Sequence, residues 1–438
     1  IFANWTETGR WDRSWRRHGG GRICPAGTAY HLRTVSGGEP DRFDCFDRLG
    51  RVIRTARRGF DGRLVFEDTA YDGQGRPERV SEPYFQGAAR YWNGTVYDDI
   101  GRITAMESAS GDDFLREYGS AASHCGVSGA HAVRTTNAAG QVRFELRNVL
   151  GEVVSVIDSL CGSTDYHYDA IGNLVEVTGI DGSIARMRYD RAGRRTAMDD
   201  PDKGHWQYAW NGLGELVRQL DAKGQALDYR YDDLGRVVRR LELRGVDTLG
   251  DTSFTVVNSE DTAWQNSSSS NVFGKAQPVT VAYREGDAGN VLHRRVYRYD
   301  EFGRQAEVMT DFGEHQFSEA TTWDEHGRIF QQFDASGDAR GVRHVYNAHG
   351  YLEAVQESRE GVDGQVYSTI LAMNERGRIT AWRLGNGVEA FADFEPASGK
   401  LLGLTAYDAS GRELQETDYR FDRLGNLTHR IDRSNGGE

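Results

Sequence analysis

Apolar and polar positions alternate with a period of two over short stretches, and such stretches recur along the chain. In Gln225–Asp232, Leu227, Tyr229 and Tyr231 share one face while Asp228, Arg230 and Asp232 share the other. Thr417, Tyr419 and Phe421 repeat this opposite Asp418, Arg420 and Asp422. Period-two alternation with aligned aromatic residues predicts antiparallel strands. No stretch carries a convincing helical period with caps. The expected class is all-β.

Between strands one motif recurs: an aromatic residue, Asp, two variable residues, Gly, then Arg or Asn. It occurs ten times. The copies are Phe46-Asp47 with Gly50, Tyr71-Asp72 with Gly75, Tyr97-Asp98 with Gly101, Tyr168-Asp169 with Gly172 and Tyr189-Asp190 with Gly193. They continue as Tyr231-Asp232 with Gly235, Tyr299-Asp300 with Gly303, Trp323-Asp324 with Gly327, Tyr407-Asp408 with Gly411 and Phe421-Asp422 with Gly425. Degenerate copies begin at Asn137, Asn211, Asp221, Asp334, Asn347 and Asn374. Gly172, Gly193, Gly214 and Gly235 are spaced by 21 residues, which marks a true internal repeat.

The motif has a physical reading. Asp at the first position of a type I turn accepts backbone N–H groups further along the turn. Glycine three residues later supplies the positive φ that closes the turn with a G1 bulge. The aromatic residue ends one strand and Arg opens the next, which places them as cross-strand neighbours with the guanidinium stacked on the ring. Lys occurs only at Lys203, Lys223, Lys275 and Lys400, so almost every basic residue is Arg. Second turns lie between motifs, at Asp61-Gly62, Asp181-Gly182, Asp363-Gly364 and Asp199–Gly204. Each unit is then two strands and two turns, stacked sideways on its neighbour in a quasi-one-dimensional array.

Composition narrows the picture. Among 438 residues, 53 Lys+Arg against 66 Asp+Glu give a net charge of −13, which argues against nucleic acid or an anionic membrane as partner. Glycine at 53 with proline at 7 fits neither collagen nor a Pro-rich linker. Aromatic content of 11% is too high for a disordered chain. A mean hydropathy of −0.65 is low for this length and suggests a layer wetted on both faces. No apolar run is long enough to span a bilayer, so no membrane insertion is expected of this segment. The start at Ile1, without a signal-peptide pattern, suggests a segment of something longer. The expected organisation is an irregular Trp-rich segment or cap over 1–40, repeats over 41–244, an insertion with a serine-rich loop over 245–295, and repeats over 296–438.

Four cysteines, Cys24, Cys45, Cys125 and Cys161, form no C-x-x-C pair. Two disulfides, Cys24–Cys45 and Cys125–Cys161, and four buried thiols are equally open readings. No nucleophile elbow, zincin helix, Walker loop or dinucleotide fingerprint is present. We therefore expect no catalytic, cofactor-binding or metal-binding residue. Asp165, His167 and Asp169 alternate along one strand face, where solvent is the better partner than a metal. Asp199, Asp200 and Asp202 form an acidic turn without the full ligand spacing of a calcium loop. His124 beside Cys125 reads as a surface histidine next to a buried thiol.

Phe46–Arg51, Tyr231–Arg236 and their sister segments resemble the YD repeats of the Rhs (rearrangement hot spot) family, over roughly Asp41 to Asn435. Ser81–Phe85 followed by Tyr97–Arg102, and Phe394–Leu401, are similar to the Rhs-like part of bacterial insecticidal toxin complexes. The resemblance implies one long β-sheet spiralling into part of a hollow shell that encloses and protects a C-terminal toxin effector. The implied partners are the enclosed toxin polypeptide and flanking parts of the same parent chain or a partner shell chain. It also implies a secreted protein, or one delivered from a bacterial cell, with no enzymatic activity in this segment. The family's self-cleavage segment and variable toxin have no counterpart up to Glu438. The alternative is an extracellular adhesion or carbohydrate-binding module, whose Tyr and Trp stripes would stack sugars.

Overall fold

The computed structural model describes residues 23–119, 125, 131–251, 253–264, 277–335, 340–359 and 362–434. Trp5, Trp11, Trp15, His124 and the Ser267–Ser270 run lie outside the described residues, as does part of the Asp334 copy. Among the described residues there are 34 strands and no helix. Each strand pairs antiparallel with its neighbours in sequence, so the sheet is one continuous meander. One departure occurs at Leu64–Tyr71, which divides one side between Pro77–Ser81 and the two-residue strand Tyr84–Phe85. Pro77–Ser81 then pairs with Trp92–Tyr97. Thr255–Trp264 and Pro278–Glu285 carry the pairing through the middle of the chain.

Because all pairings are antiparallel, successive turns alternate between two rims of the sheet. The first rim carries the turn Asp47–Gly50 and the second carries Gly59–Gly62. Following the strands in order, every motif lies on the first rim except Tyr407-Asp408 with Gly411, which lies on the second. The hairpin Ile379–Leu384 to Glu389–Phe394 turns at Leu384–Gly387 on the second rim, the Glu395–Gly399 turn follows on the first, and the Asp408 turn, next in order, therefore falls on the second.

Burial is thin. Strand Ile184–Tyr189 alternates exposed and half-buried positions. The buried hydrophobic clusters are small: Leu220, Ala226, Leu241, Leu243 and Val246; Phe43, Ala56, Phe66 and Tyr84; Phe144 with Ile157. A sheet of this kind needs few apolar residues per unit, which accounts for the low hydropathy.

Both disulfides form, Cys24–Cys45 and Cys125–Cys161, which resolves the open choice. Asp363-Gly364 is not a turn. Both residues lie inside strand Val362–Met373, where the register shifts against Gln356 and Ser358. Gly364 serves this irregularity, because a Cβ there would meet the Glu357 carboxylate at 2.5 Å.

Candidate functional site

The repeated element is a carboxylate clamp. Asp232 Oδ1 accepts the backbone N–H of Leu234 and of Arg236, both at 3.0 Å, while Oδ2 accepts Nε of Arg236 at 2.8 Å. The Gly235 N–H closes the turn on the Asp232 carbonyl at 3.0 Å. The same arrangement recurs at Asp47, Asp72, Asp98, Asp190, Asp300, Asp324 and Asp408, with Arg51, Arg76, Arg102, Arg194, Arg304, Arg328 and Arg412. At Asp169 and Asp422 the side chain of Asn173 or Asn426 replaces the guanidinium. All ten motif glycines have φ between 75° and 90°, the region a Cβ disfavours.

These hydrogen bonds hold every motif carboxyl below the usual carboxylate range. Asp47 and Asp72 are lowered chiefly by the backbone N–H of Arg51 and Arg76. Asp169, Asp190, Asp232 and Asp422 are lowered chiefly by the side chain four residues on. At Asp98, Asp300 and Asp324 desolvation pushes upward, yet the arginine contacts outweigh it. Asp408 falls to about 2, held by the Ser410 hydroxyl and the Arg412 backbone.

The expected pairing of Arg with the ring of its own motif is wrong. The bulge shifts the register, so Tyr71 faces Pro77 and Tyr231 faces Val237. Arg, displaced into the bulge, reaches sideways to the next unit. Arg51 lies over Tyr71 at 4.4 Å, Arg76 over Tyr97 at 4.3 Å and Arg328 over Tyr346 at 4.0 Å. The aromatic residue answers with its polar tip. Tyr71 donates to the Val52 carbonyl at 2.9 Å, Tyr97 to Pro77 at 3.0 Å and Tyr231 to Leu216 at 2.7 Å. Trp210 and Trp264 do the same through Nε1, to Arg195 and Val237, both at 2.8 Å. These units are thereby fastened to their neighbours by a cation–π contact, a hydrogen bond, or both.

Among the turns that escaped the sequence pattern are two capped like the motif itself. Asn148 caps Leu150 and Glu152 without a preceding aromatic residue. Asp158 caps Leu160 and Gly162, with Cys161 standing where glycine is usual, at φ 68°.

A seam joins distant parts of the sheet. The first rim near residues 324–400 rests on the second rim of residues 36–112. Arg328 donates to the Gly38 carbonyl at 3.1 Å, and Asn347 to Phe60 at 2.9 Å. Arg57 reaches the Glu375 carbonyl at 2.8 Å, Arg376 pairs with Glu82 at 2.7 Å, and Lys400 with Asp112 at 3.1 Å. The Phe60 ring meets Tyr351 edge-on at 6.2 Å. The separations of three of these hydrogen bonds are 287, 288 and 290 residues, so the sheet comes round on itself with a nearly constant period.

Near the start of the described sheet lies a buried polar knot. Arg54 pairs with Asp68 at 2.5 Å, both side chains 7% exposed. The Tyr84 hydroxyl donates to Asp68 at 2.6 Å and accepts from Arg54 at 3.0 Å. Burial and the Asp68 carboxylate push the Tyr84 hydroxyl up to about 12. With every charge partnered, the knot is a structural fastening with no free nucleophile.

Among the described residues no group of three or more His, Cys, Asp or Glu side chains could hold a metal ion. Asp169 is engaged by Ile171 and Asn173, and Asp165 accepts the Ser163 hydroxyl at 3.1 Å. In the acidic turn, Asp200 caps Asp202 and Lys203, and Asp199 meets His205 at 2.5 Å.

These features define a hairpin-repeat sheet, clamped at its turns and wound so that rim seats on rim. The RHS Repeat family matches residues 168–205 and 210–245. No curated protein matches the chain. Among solved structures, the Tc holotoxin pore of Photorhabdus luminescens is 17% identical with a TM-score of 0.71 over 97% of this chain. The TcdB2-TccC3 structure is 19% identical with a TM-score of 0.68 over 90% of it. TcdB2-TccC3-TEV gives 18%, 0.69 and 90%. This chain covers 22% of the length of each of those chains. Residues 168–205 and 210–245 thus carry the RHS repeat in sequence, and the wound sheet as a whole is similar in fold to those chains.

Proposed function

We propose that the chain is a structural segment of an Rhs-type toxin shell, enclosing and protecting a polypeptide effector. The observation that carries this reading is the seam. A sheet whose rim rests on its own earlier winding makes a wall, and a wall has an inside. Likeness of fold to TcdB2-TccC3 and to a Tc holotoxin supports a place in a secreted toxin complex, with flanking or partner shell segments completing the enclosure. The segment acts by containment and carries out no chemistry of its own. The repeat blocks 41–244 and 296–438, joined through 245–295, are its working parts.

Electron microscopy of the parent protein tests this. A closed hollow particle with interior density is the expected result. A filled rod or an open curved sheet overturns it and makes sugar binding, as an adhesion module, the next measurement.

A further inference from the structure

Two rows of side chains cross one face of the sheet beside the second rim. The register pairs Tyr208 with Gln219, Gln219 with Leu227, Leu227 with Glu242 and Glu242 with Asn258, which sets one row. Two residues nearer the rim, on the same face, stand Trp206, Asp221, Gln225 and Arg244. Between the rows lies a cleft of about 240 Å³, lined by all of these residues but Tyr208. Tyr208 instead stacks beside the Trp206 ring at 6.4 Å and 20°, and Trp206 Nε1 donates to the Lys203 carbonyl at 3.1 Å. The indole is thereby held in one orientation at the side of the cleft.

The repeat does not ask for this combination. Counted from the motif, Trp206 stands where sister units carry Thr164, Ala185 and Leu227, and Gln219 stands where they carry Val177 and Met198. The polar groups are also uncommitted. The side chains of Gln219, Gln225 and Arg244 make no hydrogen bond or ion pair among the described residues. Asp221 Oδ1 accepts the backbone N–H of Lys223 at 2.8 Å and of Gln225 at 2.9 Å. The Gln225 side chain, however, does not close on Oδ2 as Arg236 closes on Asp232.

This chemistry selects its ligand. The cleft is smaller than the roughly 300–1,000 Å³ of a drug-sized site, so it takes a single ring. Its polar lining favours a ring rich in hydroxyls over an apolar one. Amide, carboxylate and guanidinium each offer two or more donor or acceptor sites in one plane, which suits neighbouring hydroxyls. An indole face offers an apolar, electron-rich surface to the C–H side of such a ring. The rim row holds one Asp and one Arg, so it is neutral overall and calls for neither an anion nor a cation.

We propose that the cleft binds one neutral pyranose ring of a carbohydrate, stacked on Trp206 and hydrogen-bonded through its hydroxyls to Gln219, Asp221, Gln225 and Arg244. The site lies wholly between Trp206 and Asn258 and needs no neighbouring winding, so it stands whether or not the sheet encloses cargo.

The test is isothermal titration of the 438-residue chain with the methyl pyranosides of glucose, galactose, mannose and N-acetylglucosamine, supported by saturation-transfer NMR. At least one is expected to bind saturably with Kd on the order of 1 mM, as for a small ligand making a few hydrogen bonds. Trp206→Ala, which copies Ala185, is expected to weaken that binding about tenfold or more, while Trp206→Phe keeps most of it. Gln219→Met, which copies Met198, is expected to cost about fivefold through the lost hydrogen bond. Because sister units already carry Ala and Met at these positions, the two variants report on the cleft rather than on folding. Absence of saturable binding by all four pyranosides overturns the proposal. So does binding that neither Trp206→Ala nor Gln219→Met diminishes. Adenosine binding more tightly than every pyranoside, and losing affinity in Trp206→Ala, would overturn it in favour of a nucleobase site.

Discussion

The Arg57 guanidinium donates to the Tyr351 hydroxyl at 2.8 Å across 294 residues of sequence. The same hydroxyl donates onward to the Arg58 carbonyl at 2.8 Å. Tyr351 stands where a motif arginine would close the Asn347 turn. A residue that elsewhere fastens its own hairpin here fastens one winding to the next.

Removing this contact is expected to cost about 1–2 kcal/mol, as for a hydrogen bond involving a charged donor. Arg57→Ala and Tyr351→Phe, alone and together, form a double-mutant cycle in urea. The two effects are expected to be non-additive by about 0.5 kcal/mol or more. Strict additivity would mean the two residues act independently.

The turn glycines separate backbone strain from crowding. At Gly411 an added Cβ meets nothing within 4 Å, so Gly411→Ala tests φ alone and is expected to cost about 1–2 kcal/mol. Gly411→Asn is expected to cost less, because Asn tolerates the left-handed region. Equal melting of all three proteins would contradict a φ near 83° at this residue.

Acid is expected to loosen the turns. A carboxylate with a lower pKa folded than unfolded stabilises the fold only while ionised. Its contribution is whole above the unfolded value of about 4 and is lost as pH falls toward the folded one. For Asp408 that folded value is about 2, so its window runs from about 4 down to about 2. Thermal melting between pH 6 and pH 2 is expected to fall mainly in the lowest part of that range. Asp408→Asn is expected to flatten the dependence. An unchanged profile in that variant would remove the clamp's electrostatic part.

Asp68→Asn leaves Arg54 buried beside a neutral partner and is expected to cost about 3 kcal/mol. Tyr84→Phe removes one hydroxyl from the knot and is expected to cost about 1 kcal/mol. Replacing Arg54 and Asp68 together by Met and Leu is expected to be milder than Asp68→Asn alone. Urea titration orders the three variants. A double replacement worse than the single would mean the ion pair itself stabilises this end.

Cys161 occupies a left-handed position at φ 68° and is bonded to Cys125 36 residues away. Opening that loop is expected to cost about 3–4 kcal/mol on chain entropy. In a Cys125→Ser background, Cys161→Gly is expected to be more stable than Cys161→Ser by about 1 kcal/mol. Denaturant midpoints of the two decide it, and an inverted order would mean no strain resides at Cys161.

The turns were legible in the sequence because their chemistry is local: Asp232 and Gly235 settle their hairpin within four residues. Cys161 was not legible as a turn residue, since it stands where glycine is the usual signal. The stacking partner of Arg51 was misread because the bulge rotates its side chain toward Tyr71, one unit on, rather than Phe46 in its own motif. The seam left no trace at all. Arg57 and Tyr351 belong to no shared motif, and their meeting depends on the summed curvature of every hairpin between them. Curvature accumulates from small register shifts that no single residue announces.

The near-constant period of the seam works like the lead of a screw thread. One further 21-residue unit between Asp112 and Asp324 would leave each hairpin locally intact. Every contact across the thread would nevertheless slip by one notch, carrying His349 off Gly62 and Lys400 off Asp112. Length can vary freely at a turn tip that faces solvent, but the number of hairpins between two mated points cannot. The molecule, in effect, counts.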